Sequence, residues 1–144
     1  VKVVGYLTHP LGEKVSAADN QTRNDNIANT LSWVRWFVDH TPWAICAHWL
    51  THVMAIDDEL HRPRALIDQT VLLHRSDVLI MVGGHTSPHM RLEYQYARHR
   101  KIPVLDATVL GRSPPKPRTM PPVGRSWVAW FESIVSEPII VRVT

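Results

Sequence analysis

Glu93 is the carboxylate in this sequence with the most suggestive setting. A short polar loop, His85-Thr86-Ser87, separates it from the pair Gly83-Gly84, and Pro88 follows the loop directly. Ser87 has the residue type of a helix N-cap, and Pro88 suits the first helical position. A helix N-terminus presents unpaired N–H groups and partial positive charge, so it suits an anion. Glu93 would then lie in the first two turns, either as a solvated helix residue or as an acid aimed into the crevice opened by the loop. Ser87 is the first candidate to contact a phosphate or sugar oxygen. His89 and Arg91 would assist it, although Arg91 reads equally as an exposed helix charge. Tyr6 stands where a first strand should end; its phenol either hydrogen-bonds Glu93 or belongs to a core aromatic with a wet hydroxyl. Asp77 opens an apolar run, where a carboxylate caps or braces a neighbouring loop.

Other chemistries find less support. His48 and His52 are four apart, as are His85 and His89, but such pairs share a face only when both lie on one helix. His48 follows an expected strand and His85 precedes an expected N-cap, and no cysteine or carboxylate completes a set. No metal is expected. No cofactor is expected either, because Gly83-Gly84 lacks the third glycine of a dinucleotide loop. Cys46, the single cysteine, sits in a short apolar run and reads as a core residue.

The elements that must position these groups are visible as apolar runs. Val1–Leu7 reads as a buried strand stopped by Thr8-His9-Pro10-Leu11-Gly12, with a polar loop to Arg23. Asn24–Asp39 has helical spacing, with Ile27, Leu31, Val34 and Val38 on one stripe widened by Trp33, Trp36 and Phe37. Trp43–Ala47 reads as a strand, Arg64–His74 as a helix with Leu66, Val71 and Leu73 among its apolar positions, and Asp77–Val82 as the clearest buried strand. A helix from Ser87 to about Arg100, a strand at 102–105, a proline-rich loop at 112–122, a helix at 126–135 and a strand at 139–143 complete the pattern. Alternating continuous apolar strands and helices predict one α/β domain over residues 1–144, a Rossmann- or flavodoxin-like three-layer sandwich with a mostly parallel sheet. Ligands of such sheets bind beyond the carboxyl ends of the strands. That selects 6–12, 47–51, 83–93 and 106–110 as the places to search.

With the residues in this order, Ser87-x5-Glu93-x3-Ala97-x5-Pro103-Val104 after a strand opened by Asp77 resembles the nucleoside 2-deoxyribosyltransferase superfamily. That superfamily includes the 2'-deoxynucleoside 5'-phosphate N-hydrolases and related bacterial and phage domains. The opening Tyr6-Leu7-Thr8-His9-Pro10 is similar to the family's first strand and loop. The resemblance spans about Val3 to Asp106 and leaves the tail after Gly111 uncovered. It implies that Glu93 attacks the anomeric carbon of a deoxyribose, displaces the base and forms a glycosyl-enzyme, which water or a second base resolves. It implies Tyr6 as the orienter of Glu93, and His9, Pro10, Gly83 and Gly84 as substrate contacts. Asp68 is the nearest match to the family's base-side acid, but its separation from Asp77 is one residue longer than the family's, and it reads equally as a helix-surface carboxylate. The family places glycines four and two residues before the glutamate, where this chain has His89 and Arg91. That departure supports an alternative, a non-catalytic nucleotide-binding or sensing module. The implied partners are a small nucleoside or nucleotide and further copies of the chain in a homo-oligomer.

Composition fits this picture. The chain has 144 residues, 44% of them hydrophobic and 20% charged, an ordinary globular balance. Sixteen Lys and Arg against thirteen Asp and Glu leave +3, a mild lean toward anionic ligands that does not point to nucleic acid. A lone cysteine fits a reducing compartment, and no apolar run is long enough to span a bilayer. The start lacks the features of a secretory signal, so a cytoplasmic, soluble domain is expected. Of six tryptophans, Trp33, Trp36 and Trp43 are expected in core or subunit contacts, while Trp49 is a candidate for base stacking.

Overall fold

The computed structural model describes residues 3–11, 17–47, 62–115 and 140–141. Expectations for Trp49, for the histidine pair His48 and His52, for most of the proline-rich loop and for a helix at 126–135 fall outside these residues. Strands β1 (Val4–Thr8), β2 (Ala44–Cys46), β3 (Val78–Met81), β4 (Val104–Asp106) and β5 (Ile140–Val141) form one sheet in the order β2-β1-β3-β4-β5. The first four are parallel, and β5 runs antiparallel along β4. Helices α1 (Ala17–His40), α2 (Arg62–His74) and α3 (Pro88–His99) connect them. The architecture is the expected α/β sandwich. No described helix is long and apolar enough to cross a membrane.

Side chains alternate across each strand, and that alternation builds two cores. Leu7, Val78, Ile80, Val82 and Leu105 pack with Trp33, Trp36 and Phe37 of α1 on one face. Tyr6, Leu79, Met81 and Val104 pack with Leu73 of α2 and Met90 and Ala97 of α3 on the other. Both faces are therefore covered, and the strands read as unbroken apolar runs for that reason.

Helix α1 departs from expectation in two ways. It starts at Ala17, well before Asn24. It also buries a different stripe: Arg23, Asn26, Thr30, Trp33, Phe37 and His40 are buried, while Leu31 and Val38 are exposed and Ile27 and Val34 only half-buried. The buried set lies one residue, about 100°, round the helix from the aliphatic stripe. Aromatic rings bury more area than aliphatic side chains, and their packing decides the rotation. Trp36 and Trp43 both meet Phe37, the first edge-on at 5.1 Å and the second stacked at 6.4 Å. The first half of the buried stripe is polar, so apolar periodicity cannot reveal it. Thr30 instead donates to the Asn26 carbonyl at 2.7 Å, and Asn26 Nδ2 donates to the Leu11 carbonyl at 2.8 Å. Helix α2 similarly buries Leu73 but leaves Leu66 and Val71 exposed.

Asp77 has the bracing role expected of it. Its Oδ2 accepts from the Val4 N–H at 2.7 Å, and its own N–H donates to the Val4 carbonyl at 2.8 Å. It is not near the candidate site, however. A residue opening a parallel strand lies at the amino edge of the sheet, and the crevice lies at the carboxyl edge. Asp77→Ala should lower unfolding free energy by about 1 kcal/mol, read as a shifted denaturant midpoint at unchanged slope. An unshifted midpoint would show that water replaces the carboxylate without cost.

Candidate active site

The strand order places the topological switch point between β1 and β3. The chain leaves β1 toward β2 on one side and leaves β3 toward β4 on the other, which is the position where open sheets of this kind bind their ligands. Thr8, the last residue of β1, pairs with Met81, the last of β3. Helix α3 leads away from this point. Ser87 caps it as expected, its Oγ accepting from the Met90 N–H at 3.2 Å, with Pro88 in the first turn.

Met90, Glu93 and Ala97 form the buried stripe of α3, so Glu93 faces the sheet and not water. It is only 4% exposed. Its Oε1 accepts from Thr8 Oγ1 at 2.6 Å. Its Oε2 is buried without a hydrogen-bond partner among the described residues, and so is the Tyr6 hydroxyl. Tyr6 and Thr8 are two apart on β1 and therefore point to the same face, beneath Glu93. Burial pushes the Glu93 carboxyl up to about 7, against the opposing pull of hydrogen bonding from Thr8, Tyr6 and Gln69. The Tyr6 phenol is pushed well above its ordinary range, first by burial and then by the Glu93 carboxylate. The two groups sense each other, yet neither the hydroxyl nor Oε2 makes a hydrogen bond of good geometry. Two buried oxygens side by side without a well-formed hydrogen bond are costly to hold.

Thr8 is a site residue that sequence reasoning missed. The signal was present: a threonine two residues beyond Tyr6 on a strand must share its face. Thr8→Val keeps the shape and removes the donor to Oε1. The Glu93 carboxyl should then ionise at still higher pH, followed by NMR titration of the side-chain carbonyl; an unmoved titration would deny the hydrogen bond any electrostatic role.

Gln69 is the second omission, and Asp68 lies beside it on α2. Asp68 ion-pairs with Arg64, one turn earlier on α2, at 3.4 Å. Its neighbour Gln69 is the buried residue that α2 turns toward α3, where its Oε1 meets His89 Nε2 at 2.9 Å. His89 stands beside the site as expected, its Nε2 3.9 Å from Glu93 Oε1. Arg91 is exposed on α3.

Three expected substrate contacts belong to the scaffold instead. His9 is 3% exposed, and both ring nitrogens are committed. Nδ1–H donates to the Pro10 carbonyl at 2.6 Å, and Nε2 accepts from Asn29 Nδ2 at 2.8 Å. Burial, followed by the nearby Arg112 and His85 charges, lowers the His9 imidazole to about 4, against the Pro10 hydrogen bond, so it is neutral. Gly83, at φ +105°, lies against the Pro10 and His9 side chains, and Gly84 lies against the Arg112 backbone. The groups that closely approach these glycines are protein atoms. Asn29 Nδ2 and Trp33 Nε1 each reach the Arg112 carbonyl at 2.7 Å, which ties this loop to α1. Pro10 is buried as well, with its carbonyl held by His9.

The N-terminus of α3 has less to offer an anion than its position suggests. Pro88 has no N–H, Met90 donates to Ser87 Oγ, and Arg91 donates to the Ser87 carbonyl at 3.0 Å. The His89 N–H is the donor left in that turn among the described residues. No group of three His, Cys, Asp or Glu among the described residues is placed to hold a metal ion.

Fold and site together define an open, doubly wound α/β domain with a buried acid at its β1/β3 switch point. Residues 8–107 match the family model described as "Domain of unknown function (DUF7768)", and the chain belongs to that family. The match covers both loops of the switch point and all of α3. No curated protein and no solved structure matches the chain significantly.

Proposed function

We propose that this protein cleaves or transfers at the N-glycosidic bond of a nucleoside, deoxynucleoside or nucleotide, with Glu93 as nucleophile. The observation that carries the reading is the buried Glu93 carboxyl, held through Oε1 by Thr8 while Oε2 stays unpartnered beside the Tyr6 hydroxyl. A carboxylate fixed by one oxygen and free at the other is prepared to attack in a defined direction. Low hydration strengthens its attraction to the positive charge that develops on an anomeric carbon. In this mechanism Oε2 bonds to the anomeric carbon as the bond to the base nitrogen breaks, and the base departs with the electron pair and gains a proton. Water or a second base then attacks the same carbon and releases the Glu93 carboxylate. Tyr6 supports Oε2 as orienter. The Gln69 amide is the polar group that α2 contributes, in place of Asp68. Arg112 near the loop adds positive charge suited to a phosphate-bearing substrate. The reaction, the nucleotide-type ligand and a homo-oligomeric state also rest on the family resemblance.

The second reading, a nucleotide-binding or sensing module, draws on His89, which occupies the rim where the resembling enzymes have glycine. One assay separates the two. Purified protein is incubated with ribo- and deoxynucleosides and their monophosphates, and free base is followed by chromatography. Release of base supports the enzyme. Thermal stabilisation by a nucleotide without any release supports the module.

A further inference from the structure

His89 lies one turn before Glu93 on α3, with Nε2 3.9 Å from Glu93 Oε1, too far for a hydrogen bond but within reach of a shared substrate atom. The same Nε2 is 2.9 Å from Gln69 Oε1. A carboxamide oxygen only accepts, so Nε2 carries the hydrogen. Burial lowers the imidazolium of His89, so the ring is neutral near pH 7 and Nδ1 holds a basic lone pair. The side chain is 44% exposed and therefore borders water on one side and the Glu93 site on the other. Gln69 is buried beside both groups, with its oxygen occupied by His89. Neighbouring groups cannot do the same work. Tyr6 is fully buried and ionises only far above neutrality, both nitrogens of His9 are committed, and Asp68 is paired with Arg64.

Building on the glycosidic reading above, we infer that His89 is the general base that activates water against the glycosyl-enzyme on Glu93, which makes this protein a hydrolase and not a transferase. In this step the water oxygen bonds to the anomeric carbon, the bond from that carbon to Glu93 breaks, and the Glu93 carboxylate leaves with the electron pair. The water proton passes to His89 Nδ1 and then to solvent. Nucleoside and water become free sugar and free base, with no other reactant.

The test is rapid-quench measurement of base release by wild type, His89→Gln and His89→Ala. His89→Gln keeps a donor for Gln69, so its fold and Gln69 orientation are retained. The expected result for both variants is a burst of one base per site at the wild-type rate, followed by turnover slowed roughly a hundredfold. Azide, which attacks without losing a proton, should restore variant turnover and yield the glycosyl azide. Variant turnover within about twofold of wild type, a slowed burst, or no response to azide would overturn the role of His89. Predominant transfer to an added free base by the wild type would overturn the hydrolase assignment. If wild type releases no base from any nucleoside or nucleotide, the glycosidic reading itself falls and this inference with it.

Discussion

Glu93→Gln should abolish base release while making the protein more stable above neutral pH. The catalytic loss should be roughly a thousandfold or more, because the carboxamide that replaces the carboxylate is a poor nucleophile. The stability gain follows from burial. The Glu93 carboxyl titrates near 7 in the fold against about 4.5 unfolded. The native state therefore holds a proton that the unfolded chain has lost, and stability falls as pH rises from about 4.5 to 7 and levels off above it. A gap of this size corresponds to roughly 3 kcal/mol. Glutamine carries no charge at any pH, so the variant should match wild type near pH 4 and exceed it by up to about 3 kcal/mol at pH 8. His9 acts in the opposite direction. It titrates at about 4 in the fold against 6.5 unfolded, so its contribution is lost as pH falls through that window. The difference between wild type and variant removes His9 and isolates Glu93. Wild-type kcat/KM should rise with pH through about 7 as the nucleophile ionises. Denaturant melts across pH 4 to 8 provide the stability check. A variant no more stable at pH 8 than at pH 4, relative to wild type, would mean that Glu93 ionises as freely as a surface residue.

Gly83→Ala should be the most damaging single-methyl change at the switch point. A Cβ there would sit 2.7 Å from Pro10 Cδ and 2.8 Å from His9 Cδ2 and Nε2, on a backbone at φ +105°. His9 cannot yield freely, since Asn29 and the Pro10 carbonyl hold its ring. Two costs add: about 1–2 kcal/mol for the backbone conformation and about 1–3 kcal/mol for overpacking. Gly111 is a built-in control. Its φ is +95°, but a Cβ there meets nothing within 4 Å. Gly111→Ala should therefore cost only the conformational part. Thermal melts of the two variants separate the contributions, and equal losses would refute the packing account of Gly83. Because His9 follows Thr8 directly, Gly83→Ala should also displace the Thr8 hydroxyl from Glu93 and reduce any base release.

The parts of this structure that were legible in the sequence are those set by local rules. The run Val78–Met81 is apolar on both faces because both faces are covered, and Ser87-Pro88 marks the start of α3 through cap chemistry alone. Glu93 stood out by its distance from that cap. The parts that escaped depend on contacts between distant segments. Thr8 reaches Glu93 across 85 residues of sequence. Gln69 matters through His89, another element away. The rotation of α1 was misjudged because polar residues fill half of its buried stripe and aromatic packing outweighs the aliphatic pattern. Gly83 and Gly84 signalled close approach correctly, but composition does not say what approaches, and here it is His9, Pro10 and the Arg112 backbone.

The most direct measurement is the mass of the enzyme during turnover. A substrate nucleoside carrying fluorine at the sugar 2-position slows departure of the sugar from a carboxylate, so the intermediate accumulates. Intact-protein mass spectrometry followed by peptide mapping should show one fluorinated sugar per chain, esterified to Glu93 and absent from Glu93→Gln. Base release without any sugar on the protein, or a sugar attached to another residue, would contradict Glu93 as the nucleophile.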